Sequence, residues 1–235
     1  RYGVMLREDG IVMDDGTTTR ISENHYHMTT TTAQAANVLS HLEYYLQVVW
    51  PDLKVNVVST TEQWAGAAIA GPKSREVLQK LFPDINVSNE GLPFMGYIKG
   101  NLFGVYARIY RISFSGELAY EVNVESDNGN LMWEKIMDSG IQLVAGSDAS
   151  WQHYKLGGTS FQDEIHAHVS IGMTPMEAIQ SGTIYAAQSC WVDEKVGSLE
   201  PGKVANIISV DGNPEKNIED LRNVNSIIYR GYVHK

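Results

Sequence analysis

The sequence changes its hydrophobic pattern at Gly140, and this change limits the folds open to it. Up to that glycine, short apolar-polar alternations are interleaved with amphipathic stretches. Beyond it comes "IQLVAG", residues 141–146, an apolar run with no polar alternation. Such a run fits a strand buried on both faces, whereas alternation fits strands with one wet face. The chain therefore reads as two segments, 1–140 and 141–235, with no flexible linker, internal repeat or low-complexity tract at the join.

In the first segment, "YGVML" and "IVMDDGTTTRI" flank the turn-like "REDG", a hairpin pattern. "SEN" turns again before "HYHMTTTT". A helix follows. Thr31 is its candidate N-cap, with Gln34 at capping-box spacing. Ala35, Val38, Leu39, Leu42, Leu46 and Val49 recur on one helical face, and Pro51 stops the helix. "VNVVSTT" and "QWAGAAIAG" read as strands and "SREVLQKLF" as a helix. "FGVYARIYRISFSGELAYEVNV" reads as two strands with a turn at Ser115-Gly116, and "GNLMWEKIMDSG" as a helix ending at Gly140. Strands and helices in this order predict an α+β layer with an antiparallel sheet.

In the second segment, "SFQDEIHAHVSI" reads as a helix. "GMTPMEAIQSGTIYAAQSC" has the strongest helix start in the chain, with Thr174 at N-cap, Pro175 at N1 and Glu177 at N3. "VANIISV", a short helix at "NIEDLRN", and a last strand "SIIYRGYV" complete it.

Composition excludes several classes. There are 28 acidic residues against 18 basic ones, a formal charge of −10, with no Lys/Arg cluster to offset it. Nucleic acid and anionic membrane are therefore poor partners. No apolar run reaches the ~20 residues a membrane helix needs, and no signal-peptide pattern opens the chain; the expected location is the cytoplasm. The single cysteine, Cys190, excludes a disulfide framework and reads as a small core residue. The chain opens at Arg1 inside a predicted strand, which suggests sequence upstream.

Residues 1–140 resemble the folate-binding, aminomethyltransferase-type domain, in the form found in sarcosine oxidase alpha subunits. "YGVMLREDGIVMDDGTTTR", "NHYHMTTTT", "HLEYYLQVVWPDL", "TEQWAGAAIAGPKSREVLQ" and "RISFSGELAYEVNV" carry the resemblance. It implies a tetrahydrofolate cofactor, a small amine-derived substrate and a flavoprotein partner. It places Asp14-Asp15 where the family keeps its catalytic aspartate, Asp15 being the better aligned. A carboxylate there holds a proton or stabilises a cationic iminium. It places Glu121 where an acidic residue grips the pterin ring, since a carboxylate accepts two parallel N–H bonds from an aminopyrimidine edge. Tyr106, Tyr110 and Tyr120 are candidates to stack on the ligand. The resemblance also implies that upstream and downstream walls of the folate cavity lie outside this segment.

Residues 141–235 are similar to the C-terminal end of metal-dependent amidohydrolases of the imidazolonepropionase- and prolidase-like group. "VAGSDAS", "GMTPMEAIQSGTIYAA", "VGSLEPGKVANIISVDGNP" and "NVNSIIYRGYV" carry this likeness, with Asn206 standing where the family usually has Asp. It implies a final barrel strand and helix with returning strands of a side sheet, and it makes Asp148 a metal ligand and proton carrier. One ligand does not make a zinc site. His25/His27 and His166/His168 invite that role, but the second pair lies on a predicted helix, where i,i+2 side chains diverge.

On residue chemistry alone, "DDG" is ordinary turn composition, a strand Glu is ordinarily solvated, and strand tyrosines ordinarily pack a sheet. Three functions stay open: a folate-binding one-carbon domain with incomplete catalysis, an inert composite, and a metal-dependent amide hydrolase. The unpaired edge of the second segment makes a homo-oligomer an expectation as well.

Overall fold

A computed structural model describes residues 1–114, 116–147 and 158–234. The chain divides into two compact units, Arg1–Ile141 and Gln142–Lys235. The fold is α+β, with antiparallel sheets and no closed barrel among the described residues.

The first unit opens with a three-stranded meander: β1 (Tyr2–Leu6), β2 (Val12–Ser22) and β3 (His25–Met28). "DDG" lies inside β2 and pairs with β1, Val4 opposite Asp15 and Met5 opposite Asp14. The turn reading of that tripeptide is thereby corrected. Helix α1 (Ala35–Tyr44) follows a 3-10 turn at Thr32–Gln34. The expected capping box does not form. The Thr31 hydroxyl donates instead to Asp14 Oδ1 at 2.7 Å, a charged and therefore stronger acceptor. After Tyr44 the helix widens into a π turn, Tyr45–Val49, and Trp50 N–H reaches back five residues to Tyr45 O. The wider turn rotates Val49 off the predicted apolar face and leaves it exposed.

A four-stranded sheet forms the centre of this unit, in the order β4 (Trp64–Ala70), β7 (Ala119–Glu125), β6 (Val105–Tyr110), β5 (Tyr97–Leu102). One face buries Ile69, Ile109, Tyr120, Val122 and Val124 against Leu78 and Leu81 of α2 (Ser74–Leu81) and Met132 and Ile136 of α3 (Gly129–Asp138). Each fully buried aliphatic side chain there contributes ~1.5–3 kcal/mol. Strand β5 is absent from the sequence reading, because Gly100 stands where alternation calls for an apolar residue between Ile98 and Leu102. A hairpin joins it to β6, with positive φ at both turn residues, Phe103 (48°) and Gly104 (98°), as a type I′ turn requires. The predicted strand "VNVVSTT" does not form. Residues 53–60 carry no ladder, and Val55 and Val58 stay exposed.

In the second unit the expected buried strand at 141–146 is corrected. Its residues carry no ladder and alternate between half-buried and exposed. Ala145 N–H instead donates to Ser181 O and Gly146 N–H to Glu164. Helix α4 (Ser160–Ser170) packs on α5 (Pro175–Ser181), whose predicted capping box is present in full. The single helix expected over 174–190 breaks at Gly182-Thr183, and α6 (Ile184–Ser189) follows. Any Cβ at Gly182 would run into Phe161 and Ile165 of α4. Cys190 is exposed at the end of α6, not in the core. A second meander, β8 (Ile207–Val210), β9 (Val224–Tyr229) and β10 (Tyr232–His234), closes the unit. The single last strand expected there is a hairpin turning at Arg230-Gly231.

Candidate functional site

Strand alternation gives the four-stranded sheet a second face, opposite its helices, with different chemistry. Register places Trp64 beside Glu125, Gly66 beside Asn123 and Ala68 beside Glu121 across β4 and β7. Across β6, Asn123 faces Arg108 and Glu121 faces Tyr110; across β5, Arg108 faces Lys99 and Tyr110 faces Tyr97. This face is therefore aromatic and polar, with small residues next to Glu121. The Asn123 side chain lies over Gly66, where a Cβ would strike its Oδ1.

The first meander reaches the same face. His27 Nδ1 lies 3.4 Å from Tyr110 Oη, with the two rings stacked at 6.2 Å. Burial, then the Arg108 cation, then His25 hold His27 below the ordinary imidazole value. Burial pushes Tyr110 up, and Tyr97 more strongly. Burial likewise raises the Glu121 carboxyl above the usual carboxylate range. Desolvation is the only cause of that shift, and it disfavours the charged form.

The two aspartates of "DDG" part company. Asp14 is buried and accepts from both Thr31 Oγ1 and Thr31 N–H. Burial alone would raise it, but the bonds from Thr31 Oγ1, Asp15 N–H and Thr31 N–H outweigh that and hold it below the ordinary value. Asp15 is exposed and accepts from Tyr2 Oη at 2.7 Å. It shares its sheet face with Thr19, the register partner of His27.

Of the predicted ligand tyrosines, Tyr110 and Tyr106 lie on the polar face, and Tyr106 Oη is 3.3 Å from Tyr97 Oη. Tyr120 is corrected. One residue from Glu121 in a strand, it points to the other face and is fully buried among the core residues. Its hydroxyl has no hydrogen-bond partner. Tyr120→Phe is therefore expected to leave stability unchanged or raise it by up to about 1 kcal/mol, because it removes a buried unmet donor. Denaturant unfolding checks this; a loss above about 1 kcal/mol would show that the hydroxyl is in fact satisfied.

Sequence reasoning missed Trp64, Tyr97, Lys99, Arg108 and Asn123. For Tyr97, Lys99 and Arg108 the signal was the i,i+2 repeat of large polar and aromatic residues through 97–101 and 106–110, visible only once β5 is recognised. Asp148 lies outside the described residues. Among the described residues no group of three or more His, Cys, Asp or Glu gathers to hold a metal ion. His166 and His168 diverge as helical spacing demands. His166 meets Glu219 on the surface, while His168 is buried with Nδ1 2.8 Å from Ser181 Oγ. No helix of the described residues is long and apolar enough to cross a membrane.

Residues 1–150 match the GCVT N-terminal domain family, a span that includes the whole of this face. The chain belongs to that family. Over 142 residues it is 50% identical to the sarcosine oxidase subunit alpha of Rhizobium meliloti (strain 1021), a match covering 60% of this chain and 14% of that one. It is 26% identical over 177 residues to the aminomethyltransferase of Deinococcus deserti, covering 71% of this chain and 46% of that one. The chain thus spans about a seventh of the length of the sarcosine oxidase alpha subunits it matches. Among solved structures, a Xaa-Pro dipeptidase with bound methionine is 33% identical, covering 47% of this chain and 26% of that one. Its TM-score of 0.40 does not establish a shared fold.

Proposed function

We propose that the first unit binds reduced folate, as part of a domain that transfers one-carbon units from an amine, with only part of the transfer site in this chain. Glu121 is the observation that carries the reading. It is a desolvated carboxylate beside the small side chain of Ala68, across the ladder from Tyr110, within the family match. Two parallel N–H donors on an aminopyrimidine edge suit such a carboxylate, and Tyr110 and Tyr97 offer ring faces beside it. Tetrahydrofolate, when bound, supplies the acceptor for the one-carbon unit. Asp15 is assigned the proton or the cationic amine, being on the meander face that carries His27 toward Tyr110. Asp14 is assigned a positioning role, since both its oxygens hold the turn at Thr31.

The named relatives support the same class. On this reading the chain acts on a methylated or aminomethyl small molecule beside a flavoprotein partner. Residues 141–235 are read as a partial amidohydrolase-type segment with Asp148 as a lone metal ligand, and self-association is a means of covering their exposed strands. Titration with tetrahydrofolate tests the central claim, with Trp50, Trp64 and Trp133 of the first unit as reporters. Saturable quenching is expected. No response at millimolar ligand overturns the reading and leaves the inert composite.

A further inference from the structure

The hydroxyl of Tyr110 sits between two groups whose demands fix where its hydrogen goes. On one side is Arg108. Its guanidinium lies over Trp64, 3.7 Å from the ring centroid, and is hydrogen-bonded to both Tyr110 and Tyr106. On the other side is His27 Nδ1, 3.4 Å from Tyr110 Oη. A guanidinium donates and cannot accept, so Tyr110 Oη accepts from it. The single phenol hydrogen must then go elsewhere, and His27 Nδ1 is the acceptor within reach. Nδ1 can receive it only with a bare lone pair. A neutral imidazole bare at Nδ1 carries its proton on Nε2.

The surroundings favour the neutral ring. The titratable and charged groups that act on His27 are Arg108 and Tyr110 of β6 and His25 of its own strand. Among the described residues no carboxylate forms an ion pair with it. Burial and the Arg108 cation both disfavour the imidazolium. Nε2 has no hydrogen-bond partner among the described residues and is not sealed from solvent.

Tyr110 also faces Glu121 across the ladder between β6 and β7. A ligand lying along Tyr110 therefore meets an acceptor, the Glu121 carboxylate, and a donor, the His27 Nε2–H. In a reduced pterin the N–H edge and the ring carbonyl are neighbours, the complementary order. We propose that Arg108 and Tyr110 hold His27 in the tautomer with its proton on Nε2, and that this N–H donates to the ring carbonyl beside the edge that Glu121 holds. The inference rests on the folate reading and adds a requirement to it: the ligand must carry an acceptor next to its N–H donors. It also separates two roles on this face. With Nδ1 committed to Tyr110, His27 donates and does not take up a proton, which leaves that task to Asp15.

Two measurements test it. In the ligand-free protein, long-range proton–nitrogen NMR correlations of the His27 ring are expected to show a neutral ring protonated on Nε2 near neutral pH. Tyr110→Phe keeps the aromatic ring and removes the hydroxyl, so it is expected to move the Nδ1 resonance as the bond to its lone pair is lost. A dominant Nδ1–H form, an imidazolium, or an Nδ1 resonance unmoved in Tyr110→Phe overturns the relay. Calorimetry then compares tetrahydropterin with its diamino analogue, in which an amino group replaces the carbonyl. That amino group sets donor against donor at Nε2–H, so wild type is expected to favour tetrahydropterin about tenfold or more. His27→Phe is expected to erase most of this preference. His27→Gln, which keeps a side-chain N–H, is expected to retain it. Equal wild-type affinities for the two probes, or a preference that survives in His27→Phe, overturn the carbonyl contact and leave the Glu121 reading intact. Failure of wild type to bind tetrahydropterin overturns the folate reading and the contact with it.

Discussion

Glu121→Gln is expected to lower the affinity for tetrahydrofolate about a hundredfold or more. A carboxylate offers two acceptors to two parallel N–H donors. Glutamine offers one, and sets its own N–H₂ against the second ligand donor. The variant therefore loses one charge-assisted pair and acquires a donor–donor clash, each a loss of about 1.5–3 kcal/mol in a desolvated site. The wild-type affinity should also depend on pH. Burial raises the Glu121 carboxyl above its ordinary value, so the free protein keeps it protonated to higher pH than an exposed glutamate. Only the ionised form accepts both donors, so binding should strengthen as pH rises through that raised pKa and level off above it. The stability of the free protein runs the other way. For an acid raised by burial, the desolvation cost is absent below the unfolded-state pKa and complete above the folded-state pKa, so stability falls across that window. Ligand titrations at several pH values check the first trend; a flat profile in wild type, or a profile that survives in Glu121→Gln, would remove Glu121 from the site.

Glu121 was singled out because "GELAYE" and its flanks resemble a family over a long stretch, not because its chemistry announces itself. By spacing alone it is one polar residue in an alternating strand. Alternation did contain the correction to Tyr120, since neighbours in a strand cannot both face one ligand. The rest of the polar face was not legible for a definite reason. Strand β5 carries Gly100 where an apolar residue between Ile98 and Leu102 would be needed to reveal it. Gly100 serves tight packing, for a Cβ there would press on Ile85, Ile109 and Phe82. Lys99 belongs to the polar face itself. A glycine placed for close approach erases the periodicity by which a strand is read.

Helix signals fared unevenly for a related reason. Thr174 and Glu177 form the expected capping box, the Thr174 backbone N–H and hydroxyl both donating to the Glu177 carboxylate. Thr31 carries the same signal, but Asp14 lies within reach and accepts its hydroxyl. "IQLVAG" fails as a strand because pairing needs a partner edge. Residues 141–146 find instead the carbonyl of Ser181 and the carboxylate of Glu164, one bond at a time. Local pattern states what a segment can bury. It does not state which groups will be adjacent to receive it.

Gly16→Ala is expected to destabilise the first unit by about 3–5 kcal/mol, and the "DDG" tripeptide makes sense in that light. A Cβ at position 16 would be driven into the backbone carbonyl of Thr29, with Thr30 Cα close behind. Backbone cannot rotate aside as a side chain can. The segment after β3 would have to lift off β2, and it is fastened there by several bonds. Thr29 N–H donates to Thr17 O, Thr17 N–H donates to Thr29 Oγ1, and Thr31 donates twice to Asp14. Overpacking costs about 1–3 kcal/mol, and losing two or three of those bonds adds about 1 kcal/mol each. Against a total stability of about 5–15 kcal/mol this is a large fraction. Gly3 is the internal control. It faces Gly16 across the β1–β2 ladder, but a Cβ there meets nothing within 4 Å, so Gly3→Ala should change stability by less than about 1 kcal/mol. Denaturant midpoints for both variants decide the matter, and a Gly16→Ala loss no larger than that of Gly3→Ala would refute the close approach. If the contact holds, the glycine serves neither a turn nor backbone flexibility. It lets residues 29–31 lie directly on β2, which buries Asp14 and leaves Asp15 on the opposite sheet face, the one that carries His27 to Tyr110.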